Sequence, residues 1–485
     1  MKHRGSLRRL PFVLLLLLLL VAMSPATARA HVGSPDVYFE GAAGPYRVLV
    51  TVRPPTAVPG IAEVSARVTE PVTGMTMVPL PARGEGARLS PTPDVATRDR
   101  DDAQTFVGHL WLMNAGEWQV RVHVDGARGP GELSIPVPAL PARTRTMQTA
   151  LGVGLLALLL LLAAGAVSIA AAGAREGQLE AGETPTARER TRGWRAMALA
   201  SAFVIIALVG GNAWWNAEAN DYARYVYKPL ELQAHTEGNV LTLQLADPGW
   251  LRSRHVDDFL PDHGHLMHLF VVTSPALDRV WHLHPEVTGP GAFTFALPSM
   301  PAGRYRLYAD VVHATGLAET ATTEVTLPAI SGGELHGDDA TGSGPAQHDP
   351  GRNVAPLDGG ARMVFVRDDT TPSVRKAAWF RFRIEDAAGA PQPLEPYMGM
   401  LGHAAFVRSD GSTFAHVHPS GSVPMASLQA LDTQGANPHA GHMMPVAATE
   451  VAFPYGFPRG GDYRIFVQVK RAGRIETGVF DARVP

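Results

Sequence analysis

Two apolar stretches constrain this chain more than anything else in it. Residues 150–172 and 196–215 run for 23 and 20 positions without a charge, long enough as helices to cross a hydrocarbon layer about 30 Å thick. A chain carrying both is divided between the two sides of a membrane. Between them lie Arg175, Arg188, Arg190, Arg192 and Arg195, whereas the outer flanks carry only Arg143 and Arg145 on one side and Arg224 and Lys228 on the other. Arginine-rich connections stay in the cytoplasm, which is where this one is expected. The first thirty residues agree. Lys2, Arg4, Arg8 and Arg9 precede an apolar run from Pro11 to Met23, and Ala28, Arg29, Ala30 form a small-x-small cleavage pattern, so residues 1–30 read as an export signal.

The expected order is therefore a signal peptide (1–30), an external segment (31–145), two spans (148–173 and 196–216) joined by a cytoplasmic loop (174–195), and an external remainder. This predicts a protein of the bacterial cytoplasmic membrane with its folded parts on the periplasmic or extracellular side. Trp214 and Trp215 fall where an interfacial aromatic belt, or the last turn of a packed helix, would sit.

Composition narrows the function classes. With 42 Lys and Arg against 45 Asp and Glu, the chain has no basic footprint for nucleic acid. Its 49 Gly and 40 Pro in 485 residues imply turn-rich β domains. The absence of Cys excludes disulfides, thiolate metal sites, iron–sulfur clusters and thiol nucleophiles. Soft-metal chemistry, if present, is left to His nitrogen and Met sulfur.

The second external part contains a duplication. The run from Pro261 to His268 aligns with that from Pro396 to His403 at an offset of 135, and His282, Leu283, His284, Pro285 aligns with His416, Val417, His418, Pro419 at 134. Gly303, Arg304, Tyr305, Arg306 matches Gly461, Asp462, Tyr463, Arg464 at 158, so the second copy has gained a loop of 24 residues. Leu241, Leu243, Leu245 and Phe380, Phe382, Ile384 alternate as half-buried strands do. The chain is expected to be mainly β, with three immunoglobulin-like or cupredoxin-like β-sandwiches (31–145, 217–330, 356–485) and two transmembrane helices; residues 331–355, rich in Gly, Asp and Ser, are expected to be a linker.

The repeat carries the chemistry. Asp410 and Gly411 predict a type I′ hairpin turn, and pairing outward places Ala405 opposite His416 and His403 opposite His418. His403, His416 and His418 then share a face, near enough to bind one metal ion. The first copy offers His268, His282 and His284 if its extra residue lies in the turn between Pro275 and Asp278. A packed strand end, copied by duplication, would explain the repeated His-x-His-Pro without any metal. The exchange of His263 and His265 for Met398 and Met400 favours metal, because imidazole and thioether share little as packing groups but both bind copper. Zinc is the other candidate, suited to the all-imidazole copy. The loop gained by copy two adds Met425, His439, His442, Met443 and Met444. Copy two is expected to prefer Cu(I) more strongly, and occupancy of copy one to fall near pH 6.5, the usual His range.

Cleavage after Ala30 would expose His31, whose amine and ring nitrogen could chelate Cu(II) together, with His109 or His123 as a further ligand. His31 and Val32 after the Ala-x-Ala signal, with the alternation that follows, resemble the His-first copper-binding modules of bacterial envelopes, the CopC and YcnI types. The later sandwiches with their Gly-x-Tyr-Arg strands resemble the YtkA and FixH kind of immunoglobulin-like envelope domain. The first resemblance implies that His31 is a copper ligand.

No hydrolase, zincin or phosphate-loop signature occurs, so a binder is expected rather than an enzyme. The leading expectation is a membrane-anchored envelope protein that captures, buffers or delivers copper. Two alternatives stay open: a copper-dependent redox enzyme, and a metal-free interaction module. Neither apolar stretch holds an ionisable residue, so the helices are expected to be an anchor or a docking site for another envelope or membrane protein, and not an ion path.

Overall fold

The structure, a computed structural model, describes residues 35–83, 91–144, 147–180, 182–367, 371–432 and 448–485. The expectations for residues 1–30, for His31 and for His439, His442, Met443 and Met444 lie outside the described residues. The chain is mainly β, built of several sheets, with two long apolar helices.

Ahead of the helices, period-two patterns form two facing sheets. Gly60–Val68 buries Ala62, Val64, Ala66 and Val68 while Glu63, Ser65 and Arg67 face outward. It pairs with Tyr46–Arg53 and Thr105–Leu112, and this sheet closes on Gly74–Pro81, Gly116–Asp125 and Gly131–Ala139. Val64, Met77, Val120 and Val122 meet in the shared core.

The helices span Thr149–Glu176 and Ala187–Arg224, both long and apolar enough to cross a membrane. The second begins earlier than expected, which shortens the expected loop 174–195. The cause is local: Thr186 accepts from the backbone N–H of Glu189 while the Glu189 carboxylate accepts from that of Thr186, a capping box that starts the helix among the arginines. Trp214 and Trp215 stand exposed on this helix.

The first repeat contributes nine strands to one continuous sheet of ten, folded around a core of Leu243, Leu269, Trp281, Phe293 and Leu307. A single parallel bridge, Glu231 to Thr322, joins its two layers. The second repeat has two separate four-stranded sheets around Phe382, Phe406, Phe453 and Ile465. Its hairpin has the expected register, Ala405 opposite His416 and Val407 opposite Phe414. The turn is wider than type I′, however. Only Gly411 is left-handed (φ 68°), and Arg408 N–H to Thr413 O closes the loop. In the first repeat Leu269 faces Leu283, which leaves the extra residue inside the turn as expected.

The expected linker is partly strand. Ala340–Ser343 adds to the edge of Arg279–Leu283, and Val354–Pro356 pairs with Arg362–Val366. Small residues make this possible: the place where Gly342 would carry a Cβ is filled by Thr477 of the second repeat. The two repeats pack face to face through Phe270, Val272, Val280 and Tyr308 on one side and Ala405, Val407, Phe414 and Phe466 on the other.

Candidate metal centre

Strand alternation delivers the histidines to that interface. In His268–Ser274, Leu269 and Val271 enter the repeat's own core while Phe270 and Val272 face the other repeat. His268 shares the parity of Phe270, and His282 that of Val280; in the second repeat His403 follows Ala405, and His416 and His418 follow Phe414. The apolar residues hold one stretch of the interface and the histidines gather beside it. Ring centroids of neighbouring members of the group lie between 3.9 Å (His265 to His284) and 6.3 Å (His263 to His268).

One trio is His268, His282 and His284, buried as three. His268 Nδ1 lies 3.0 Å from His282 Nε2 and 3.2 Å from His284 Nε2. The outer nitrogens have acceptors that assign their protons. His268 Nε2–H donates to Asp262 O at 3.0 Å, His282 Nδ1–H to Gln468 Oε1 at 2.8 Å, and His284 Nδ1–H to Asp339 Oδ1 at 3.0 Å. Neutral imidazole has one donor and one acceptor nitrogen. Three lone pairs therefore point at one another, an arrangement that is repulsive without a cation. Nitrogen bonds of about 2.0 to 2.1 Å from a common ion would place these atoms near the separations seen. Acceptors on the outer nitrogens are the usual support of metal-bound imidazole.

The second trio differs from the expected one. His403 and His418 group with His263 of the first repeat, not with His416 alone as a self-contained copy. His263 reaches across because its backbone is left-handed (φ 51°), in a turn closed by reciprocal bonds between Asp262 and His265. Met398 occupies the same place in the equivalent turn (φ 50°), between Tyr397 and Met400, and Met400 is buried. His418 Nδ1–H donates to Val423 O at 3.3 Å, which turns its Nε2 inward. The following turn is pinned from the first sandwich, where Glu40 N–H donates to Ser420 O.

The two repeats serve each other through corresponding residues. Asp310 Oδ2 lies 3.3 Å from Nδ1 of His416, and Gln468 Oε1 2.8 Å from Nδ1 of His282. Positions 310 and 468 stand in the offset of 158, and 282 and 416 in that of 134, so the contacts are related by the pseudo-two-fold of the duplication. Sequence reasoning missed Asp262, Asp310, Asp339 and Gln468. The offset of 158 already placed Asp310 and Gln468 at equivalent strand positions, but nothing marked either as facing a histidine of the other copy.

His265 lies at the rim with its side chain 29% exposed, stacked on His284 and 3.3 Å from Asp338 Oδ2. His109 and His123 fall on different sheets of the first sandwich, opposite Glu63 and Thr76. Neither belongs to a group of three convergent ligands among the described residues. Burial holds His268 and His418 down to about 4, and burial together with neighbouring imidazoles holds His282, His403 and His416 well below the usual His range. Burial also raises Asp310 to about 7.

Fold and site together define a mainly β chain with two long apolar helices and a buried polyhistidine cluster between duplicated domains. The model of a family described as a domain of unknown function (DUF8832) matches residues 229–329 and 358–485, one segment on each repeat. No curated protein matches the chain. Similar solved structures include dimeric latent PorU from Porphyromonas gingivalis (9% identity, TM-score 0.14, covering 93% of this chain and 34% of that one). The BSP domain of a biofilm associated protein (8%, 0.15, 97% and 69%) and invasin, a bacterial integrin-binding protein (12%, 0.14, 90% and 60%), are others. The chain spans about a third of the length of the PorU chain.

Proposed function

We propose that this protein is a membrane-attached envelope protein that captures, buffers or delivers copper through the histidine centre between its repeats. The observation that carries the reading is the convergence of the His268, His282 and His284 lone pairs, each imidazole anchored by an acceptor on its far side. Copper is preferred to zinc because the equivalent turn of the second repeat carries Met398 and Met400 where the first has His263 and His265. The resemblance of the first sandwich to His-first copper modules supports the same reading. Full-length protein purified in detergent, stripped with chelator and offered Cu(I), Cu(II) and Zn(II) in turn is expected to retain copper after desalting and to release it last under competition. Retention of none of the three refutes the reading.

The nearness of two imidazole trios favours one other reading, a copper-dependent redox enzyme. Oxygen consumption by the copper-loaded chain with ascorbate as reductant separates the two.

The arginine-rich connection and the export signal orient the proposal, with the centre outside the cytoplasm. Single cysteines introduced at Gln178 and at Gly333 are expected to differ: a membrane-impermeant thiol reagent added to intact cells labels only the second. Equal labelling of both contradicts this orientation.

A further inference from the structure

We infer that the centre holds a pair of metal ions, one in the trio His268, His282 and His284 and a second in a trio that exists only when both repeats are present, His263 with His403 and His418. This rests on the reading of the cluster as a metal site. Counting lone pairs decides between one ion and two. The first trio presents three inward nitrogens. Beyond them, His263 Nε2, His416 Nε2, His418 Nε2 and both ring nitrogens of His403 are buried without a hydrogen-bond partner. His416 and His418 each face an oxygen with Nδ1, Asp310 Oδ2 and Val423 O at 3.3 Å, which leaves their Nε2 atoms as acceptors. At least seven imidazoles thus offer an inward nitrogen. A single ion with about four ligands satisfies one trio and one neighbour. It would leave the remaining buried nitrogens unpaired, which buried polar groups rarely are.

The spacing separates the two sites while keeping them adjacent. Within the trios ring centroids stand 4.7 Å (His282 to His284) to 5.3 Å (His268 to His282, His263 to His403) apart, whereas rings of different trios stand 6.1 Å (His282 to His403) and 6.3 Å (His263 to His268) apart. His416 lies between, its ring 4.6 Å from that of His418 and 5.3 Å from that of His268. It belongs to neither trio, and its Nε2 is buried without a hydrogen-bond partner. His265, stacked on His284 at the exposed rim, lies on the solvent side of the first trio.

The test uses the whole chain. Apo protein in detergent is titrated with Cu(I) against a chromophoric chelator, copper is counted by mass spectrometry, and the loaded protein is oxidised for paramagnetic resonance. The expected result is two copper ions per chain with coupled spins: intensity below that of two isolated Cu(II) ions, or a half-field transition. His263→Asn keeps a residue tolerant of the left-handed turn, and His284→Gln weakens the other trio. Each is expected to reduce the count to one and to restore an isolated Cu(II) spectrum of full intensity. One copper per chain in the unaltered protein, or two with uncoupled spectra, overturns the pair and leaves the metal reading intact; no copper at all overturns that reading itself. The unaltered protein decides even if a variant fails to fold.

Discussion

Replacing His282 and His284 together with alanine is expected to weaken copper binding at the first trio by at least about a hundredfold, since even loss of an outer-sphere partner costs 10- to 100-fold at metal sites. Both residues are buried, at 0% and 8% exposure, and both aim a lone pair at His268. Apo stability is expected to change less than truncation of two buried side chains ordinarily would, because the change also removes two of the three opposed lone pairs. The unaltered chain should gain thermal stability on copper loading, by about 4 kcal/mol at a thousandfold excess over Kd, and the variant should lose most of that gain. Unchanged affinity in a competitive titration would leave these imidazoles as packing groups.

The same site should respond to pH in a different place from an exposed histidine. Burial lowers His268 and His418 to about 4 in the folded chain, against about 6.5 in an unfolded one. Between those values the unfolded state binds more protons, so apo stability is full above pH 6.5 and falls as pH drops toward 4, each imidazole contributing on the order of 3 kcal/mol. Ligands that stay neutral in the native state also keep their lone pairs, so copper should be retained at pH 5.5 and lost near pH 4. This moves the expectation drawn from ordinary histidine, which placed the loss near pH 6.5. A release midpoint at 6.5 would contradict the burial seen here.

Phe414→Ala is expected to remove copper without touching a ligand. Phe414 is fully buried, stacks on Tyr308 with centroids 4.2 Å apart and lies 5.1 Å from Phe270. Two of its partners thus belong to the other repeat. Truncation of a buried phenylalanine costs about 3–5 kcal/mol, and here the loss falls on the contact that holds the repeats together. Both trios depend on that contact: His282 takes its acceptor from Gln468, and the second trio takes His263 from the first repeat. Thermal unfolding and copper titration of the variant should therefore decline together. Reduced stability with unaltered copper affinity would mean that the centre does not need the interface.

What the amino-acid sequence determined by itself is local. The uncharged stretches became helices, the alternation around Leu243 and Phe382 became strands, and counting outward from Asp410 and Gly411 matched the pairing of Ala405 with His416. The trio His268, His282 and His284 was legible because all three residues lie on one hairpin, whose register follows from period and turn length. The docking of the repeats was not legible. It turns the His-bearing faces toward each other, brings His263 to His403 and His418, and sets Asp310 and Gln468 against histidines of the opposite copy. It also recruits Ala340–Ser343, in a stretch rich in Gly and Asp, as an edge strand. These contacts join residues more than a hundred positions apart, or depend on an exposed strand edge, and neither leaves a periodic trace in the chain. Strand periodicity names the face on which a histidine stands; only packing against a second face decides whether that face meets water or the other half of a histidine cluster.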